Sequence, residues 1–133
     1  MKISDKQKEK IQKIGQKYNL KLIMLFGSLA TKKAREDSDI DIALLGHSNK
    51  VSNDYLDILE EFSQIFNRKI DLSIMNNANP LLLNEVQKDS LLLYGSKENY
   101  INFSLYAFHR YNDYLPYFKK EREFLKEKYY VNK

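Results

Sequence analysis

The sequence predicts a mixed α/β (α+β) fold in which helices flank a small mixed β-sheet and a helical segment follows at the C-terminus. Three observations favour this class. Short apolar runs bounded by glycine or polar residues recur four times, as expected of buried strands. Segments with apolar residues at helical spacing separate these runs. From residue 98 the composition becomes rich in tyrosine and helical in pattern. We therefore expect one domain with a core over residues 1–97 and a helical extension over residues 98–133.

The first helix and the first strand have clear sequence signals. Ser4 followed three residues later by Gln7 is a capping-box pattern, which predicts a helix over Asp5–Tyr18. The apolar run that follows predicts a strand over Lys21–Phe26, ending at a glycine. The later predicted elements are a short helix (Leu29–Arg35), a strand (Asp39–Leu45), a helix (Asn53–Phe66), a strand (Lys69–Met75), a helix (Pro80–Lys88), a strand (Leu91–Tyr94), and one or two helices over Asn99–Tyr129 with a break or kink at Pro116.

The stretch between the first two strands carries the candidate chemistry. Gly27 and Ser28 form a turn after the first strand, and ten residues separate them from Asp39 and Asp41. A glycine allows a phosphate to approach the backbone closely, and a helix N-terminus favours anions. Two aspartates spaced by two in a strand lie on one face, with Cα atoms about 6.6 Å apart. Both carboxylates can then reach one divalent ion or a closely spaced pair.

A third carboxylate is available on the third predicted strand. Asp71 alternates with apolar residues there, so it is expected to face away from the core side chains of its own strand. If this strand lies beside the second one, Asp71 can join Asp39 and Asp41. Taken singly, each motif is common in turns and strand edges, and the specificity comes from their combination and order.

The Gly27-Ser28 turn, the ten-residue gap and the Ser38-Asp39-Ile40-Asp41 run resemble the signature of polymerase-beta-like nucleotidyltransferases. The short chain and its C-terminal Arg110–Asp113 segment resemble the minimal nucleotidyltransferase (MNT) antitoxins encoded beside HEPN-domain toxins. One departure is that the run Ala30-Thr31-Lys32 replaces the Ala-Arg-Gly found in many members.

This resemblance implies a nucleotidyltransferase-like fold and a Mg²⁺-dependent transferase. It assigns Asp39, Asp41 and Asp71 to catalysis and metal binding, and Gly27 and Ser28 to the phosphates of ATP. It also implies that AMP is transferred from ATP to a tyrosine of a cognate HEPN-domain RNase toxin, which is the expected protein partner and is thereby neutralised.

Composition excludes several other classes of protein. The chain has 133 residues and no cysteine, so a disulfide framework or a cysteine zinc site is excluded. It has no apolar run long enough to span a bilayer and no apolar leader at its N-terminus, so we expect a cytoplasmic protein without membrane contact. The net charge of +4 is concentrated in the first 21 residues, which carry seven lysines and two acids. Without interleaved aromatic residues, this pattern favours a solvated helix over a nucleic-acid site.

Two alternative functions stay open from the sequence. The protein could be a non-catalytic antitoxin that acts by direct binding through its tyrosine-rich C-terminal region, since tyrosine is enriched at interfaces. It could also be a nucleotidyltransferase that acts on a small molecule. Phosphate-binding motifs of the P-loop and Rossmann kinds are absent from the sequence.

Overall fold

The computed structural model describes residues 2–27 and 38–130, with side chains as far as residue 128. Its elements are α1 (Asp5–Lys17), β1 (Leu20–Phe26), β2 (Ile40–Gly46), a 3₁₀ helix (Asn49–Asp54), α2 (Tyr55–Phe66), β3 (Ile70–Ile74), α3 (Pro80–Lys88), β4 (Leu91–Tyr94) and α4 (Lys97–Tyr130). The predicted alternation of helices and strands is confirmed for the described residues, and so is the fold class. The predicted short helix Leu29–Arg35 lies outside them.

The four strands form one mixed sheet in the order β3-β2-β1-β4. β1 pairs antiparallel with both β2 and β4, whereas β2 pairs in parallel with β3. β2 is therefore an inner strand with β3 beside it. This arrangement satisfies the condition under which Asp71 was expected to approach the two earlier aspartates.

Strand side chains alternate between the two faces of the sheet, so both faces carry apolar residues. Two helices cover each face. One hydrophobic core lies under α1 and α2, and it contains Ile40, Ile42 and Leu44 of β2. The other lies under α3 and α4, and it contains Ala43 of β2. Asp41 and Ala43 are alternate residues of β2 and share a face, so the Asp41 side chain lies on the side of the sheet covered by α3 and α4.

Side chains cap the starts of two helices, and the first of these caps is the predicted capping box. Ser4 and Gln7 form the reciprocal capping box of α1, with backbone-to-side-chain distances of 3.0 and 3.1 Å. Asn79 caps α3 by accepting a hydrogen bond from the Leu82 amide at 2.9 Å, and Pro80 occupies the first turn. These caps fix where each helix begins.

Two local predictions were wrong. The segment Asn49–Asp54 forms a 3₁₀ helix whose N-cap is Ser48, and α2 begins at Tyr55, whereas we expected the helix to begin at Asn53. Pro116 does not divide α4, which is one continuous helix. Proline prevents an intrahelical bond to the carbonyl of Asn112, but both residues are exposed, so water can satisfy that carbonyl. Over the described part of the chain, we find no helix with the length and apolarity needed to cross a membrane.

Candidate active site

Asp41 and Asp71 face each other across neighbouring strands. They are direct partners in the parallel β2–β3 register, and neighbouring strands lie about 4.8 Å apart. Ile70 and Leu72 belong to the core under α1 and α2, so Asp71 points to the same side of the sheet as Asp41. The fold therefore brings together two carboxylates that are 30 residues apart in the sequence.

The environment of Asp41 disfavours its negative charge. Burial, followed by the charge of Asp71 and a hydrogen bond to it, raises the pKa of Asp41 to about 6 from 3.8. The charges of Asp39 and of Glu85, on α3, make smaller contributions to the same rise in the pKa. Like charges that are close together and partly removed from water are stabilised by a cation placed between them. The electrostatics of the site thus favour the binding of a positive ion.

Asp39 is near this pair but its carboxylate is engaged elsewhere. It precedes the first residue of β2, its side chain is 48% exposed, and Oδ2 lies 3.8 Å from Nζ of Lys69. Among the residues that the structure describes, no three His, Cys, Asp or Glu side chains lie close enough together to hold one ion. The structure therefore brings Asp41 and Asp71 together, and Asp39 has to turn away from Lys69 to join them.

Gly27 directly follows β1 and lies against the side chain of Asp41. Its φ of +74° lies in the left-handed region, and a Cβ built at this position would overlap the carboxylate of Asp41, with Cγ only 3.0 Å away. The register explains this closeness, because Phe26 pairs with Asp41. Gly27 therefore leaves room for the carboxylate, which is a more specific reason for a glycine than the phosphate approach predicted from sequence. Ser28 lies outside the described residues.

A Gly27→Ala substitution is expected to weaken divalent-metal binding by about tenfold or more, because the new methyl group would displace the Asp41 carboxylate. The left-handed backbone adds about 1–2 kcal/mol of strain to the folded state. Calorimetric titration of Mn²⁺ and thermal denaturation measure the two effects. Gly46→Ala is a matched control, because an added Cβ there also meets close contacts but lies at the far end of β2. Equal metal affinity for Gly27→Ala and the wild type would contradict the expectation.

The contribution of α3 to this site was not predicted from the sequence. Gly27, Asn84, Glu85, Lys88 and Asp89 line a cavity of about 280 Å³ beside the carboxylates. Glu85 and Lys88 are exposed on α3, while the neighbouring Val86 is buried. In the sequence they are indistinguishable from any solvated pair on a helix. Their position near Gly27 depends on how α3 packs on the sheet, and no local pattern specifies that.

The donor set fits Mg²⁺. Hard divalent cations prefer oxygen ligands, and Mg²⁺ is commonly held by one or two carboxylates together with substrate phosphates and water. Asp41 and Asp71 provide two such carboxylates, and Asp39 provides a third once its side chain turns away from Lys69. Lys88 lines the cavity and can pair with the anionic groups of a nucleotide.

The sequence matches a known protein family and two related proteins. Residues 9–99 match the family model described as polymerase beta, nucleotidyltransferase. Two Methanocaldococcus jannaschii proteins named "Putative protein adenylyltransferase" are related to the chain. One is 34% identical over 76 residues, which cover 55% of this chain and 76% of that protein. The other is 29% identical over 84 residues, which cover 63% and 90%.

Solved structures with the same fold include two toxin–antitoxin complexes. One, determined with AMP-PNP, has a chain that superposes with a TM-score of 0.73 at 23% identity, covering 91% of this chain and 96% of that one. The other is a tri-AMPylated Shewanella oneidensis HEPN toxin in complex with an MNT antitoxin. It matches with a TM-score of 0.65 at 22% identity, covering 92% and 94%. At these identities the match shows a shared fold, which extends over nearly the whole chain.

Proposed function

The chain belongs to the polymerase beta nucleotidyltransferase family, as its motif predicted, and from this premise we propose that it transfers AMP from ATP to a tyrosine of a HEPN-domain RNase toxin. The modification would neutralise the toxin, so the protein would act as an antitoxin. The observation that carries the proposal is the Asp41–Asp71 carboxylate pair beside Gly27. The names of the relatives and the toxin–antitoxin complexes among the solved structures support the acceptor and the partner.

Each residue has a proposed role in this reaction. Asp39 and Asp41 would hold Mg²⁺, and Asp71 would either complete the metal site or accept the proton of the acceptor. When bound, the ion neutralises charge on the transferring phosphoryl group and orients the triphosphate. Gly27 and Ser28 would hold the β- and γ-phosphates, the role of Ser28 resting on the motif alone.

The transfer needs no covalent enzyme intermediate. The tyrosine oxygen attacks the α-phosphorus of ATP, forming a new P–O bond, while the bond from the α-phosphorus to the bridging oxygen breaks. Pyrophosphate leaves with the bonding electron pair, and the phenol proton passes to the Asp71 carboxylate or to water. Catalysis then consists mainly of positioning the two reactants and stabilising charge.

The C-terminal helix supplies the proposed contact with the toxin. We divide the chain into a catalytic core over residues 1–97 and a partner-binding extension over 98–133, and we place the complex in the cytoplasm. Within α4, Ala107 is the last described residue that is buried, and the part beyond it exposes Tyr117 and Phe124. These exposed aromatic side chains also favour a second candidate function, in which contact alone neutralises the toxin.

Intact-mass measurement of the toxin after incubation with this protein, ATP and Mg²⁺ tests the proposal. We expect the toxin to gain one or more AMP units, and to gain none when both Asp39 and Asp41 are replaced by Asn. Asp57→Asn, an exposed acid on α2, is the matched control and should transfer AMP normally. If the toxin stays unmodified but forms a stable complex with the wild type, transfer to this partner is refuted and neutralisation by contact is supported.

A further inference from the structure

We propose that Arg68 is a positioning residue for the metal site, holding the backbone that carries Asp39 so that this carboxylate can join Asp41 when metal binds. The role of Arg68 in catalysis rests on the proposed function, whereas its effect on metal affinity can be tested separately.

Arg68 contacts the chain directly before Asp39. Nη2 of Arg68 donates a hydrogen bond to the backbone carbonyl of Ser38. On the other side of Asp39, the amide of Ile40 donates to the carbonyl of Lys69 at 3.0 Å. The peptide planes on either side of Asp39 are therefore each tied to the segment that leads into β3.

The turn between α2 and β3 places Arg68 there. α2 ends at Phe66, and Asn67 adopts the left-handed conformation with φ of 50° while its amide donates to the carbonyl of Ser63 at 2.8 Å. This reversal directs the chain into β3 beside the start of β2. Arg68 is partly buried, and a planar guanidinium has several donors in fixed directions, which suits it to hold a carbonyl in one orientation.

The neighbouring Lys69 has a different relation to Asp39. Its side chain is 81% exposed, and the ion pair with the carboxylate is long, at 3.8 Å. Exposed ion pairs of this kind contribute little to stability. Lys69 therefore leaves the Asp39 carboxylate free to turn toward a metal ion, whereas Arg68 fixes the backbone from which that turn begins.

If Arg68 acted through its charge alone, its removal would have the opposite effect on metal affinity. Removing a nearby positive charge should strengthen the binding of a divalent cation. Lys69→Gln, which removes only charge and a loose ion pair, is expected to tighten Mn²⁺ binding by about two- to fivefold. Arg68→Gln removes the same charge but also releases the Ser38 carbonyl, and it is expected to weaken Mn²⁺ binding by about tenfold or more.

The experiment is a titration of free Mn²⁺ by electron paramagnetic resonance, without nucleotide, on the wild type, Arg68→Gln, Arg68→Lys and Lys69→Gln. Arg68→Lys retains the charge with one donor group, and an affinity between those of Arg68→Gln and the wild type is expected. Unfolding temperatures without metal identify any loss of fold. If Arg68→Gln does not fold, the comparison of Arg68→Lys with the wild type decides.

Equal or tighter Mn²⁺ binding by folded Arg68→Gln, or by Arg68→Lys in its place, would overturn the inference. Transfer assays separate it from the proposed function: Arg68→Gln should need about tenfold more Mg²⁺ for half-maximal rate and approach the wild-type rate at saturation. A wild type that binds Mn²⁺ but never modifies the toxin refutes the proposed function, while the affinities still decide the role of Arg68.

Discussion

Asp41→Asn is expected to lower the rate of AMP transfer by about 10³-fold or more and, at the same time, to stabilise the metal-free protein. The loss of rate follows from removing the carboxylate at the centre of the proposed metal site, where about 4 kcal/mol of transition-state stabilisation corresponds to that factor. The gain in stability follows from removing a charge that the fold disfavours, because burial and the charge of Asp71 raise the pKa of Asp41.

The pH dependence of that gain has a definite sign. The pKa of Asp41 is raised to about 6 in the folded protein, so its stabilising contribution is present when the group is protonated and is lost as pH rises through about 6. Asn is neutral at every pH. The variant should therefore exceed the wild type in free energy of unfolding at pH 7.5, and the difference should vanish toward pH 4. Because the site is partly solvated, we discount the full shift to about 1 kcal/mol, or roughly 4 °C in unfolding temperature.

Thermal denaturation in EDTA between pH 4 and 8 measures this difference, and the transfer assay at pH 7.5 measures the loss of rate. Asp57→Asn, on the opposite face of the sheet, should show neither effect. Adding Mg²⁺ and AMP-PNP should stabilise the wild type and not Asp41→Asn. A variant that transfers AMP at the wild-type rate would contradict the proposed metal site. A variant that is less stable at pH 7.5 would show that Asp41 is not electrostatically strained.

The sequence predicted the parts of this site that depend on local spacing. The strand alternation at Asp71 fixes its side of the sheet. The two-residue interval between Asp39 and Asp41 predicts a shared face, but Asp39 precedes the first residue of β2 and its carboxylate lies beside Lys69. The direct pairing of Asp41 with Asp71 is a property of the strand order, which no local pattern specifies. From the sequence, the pairing could be expected only if the second and third strands were neighbours.

The residues that were missed act through tertiary contacts of ordinary side chains. Arg68 follows a helix and precedes a strand, where a basic residue is commonplace, and its contact with Ser38 exists only because β2 and β3 are adjacent. The error at Pro116 has a similar origin. Proline predicts a helix break from local chemistry, yet the tolerance of an unpaired carbonyl depends on its exposure to water. Local signals thus specify the elements, and the packing of those elements specifies the site.

The double substitution Tyr117→Ser and Phe124→Ser is expected to weaken the proposed complex with the toxin by about 30-fold or more without lowering the unfolding temperature of the free protein. The two residues are seven positions apart in α4, so they lie on one face of the helix, with side chains that are 68% and 58% exposed. Being so exposed, they contribute little to the fold. Buried aromatic anchors at an interface commonly contribute about 2 kcal/mol or more when truncated.

The matched control is Leu56→Ser, which removes a 75% exposed apolar side chain from α2 on the opposite face of the sheet and should leave the affinity unchanged. Surface plasmon resonance measures the affinity, and the transfer assay shows where the loss arises. If the aromatic face only recruits the toxin, transfer falls through a higher KM for the toxin while kcat is retained, because the carboxylates are untouched. Unchanged affinity would exclude this face of α4 as the contact. A loss of kcat would instead show that α4 also orients the acceptor tyrosine at the site.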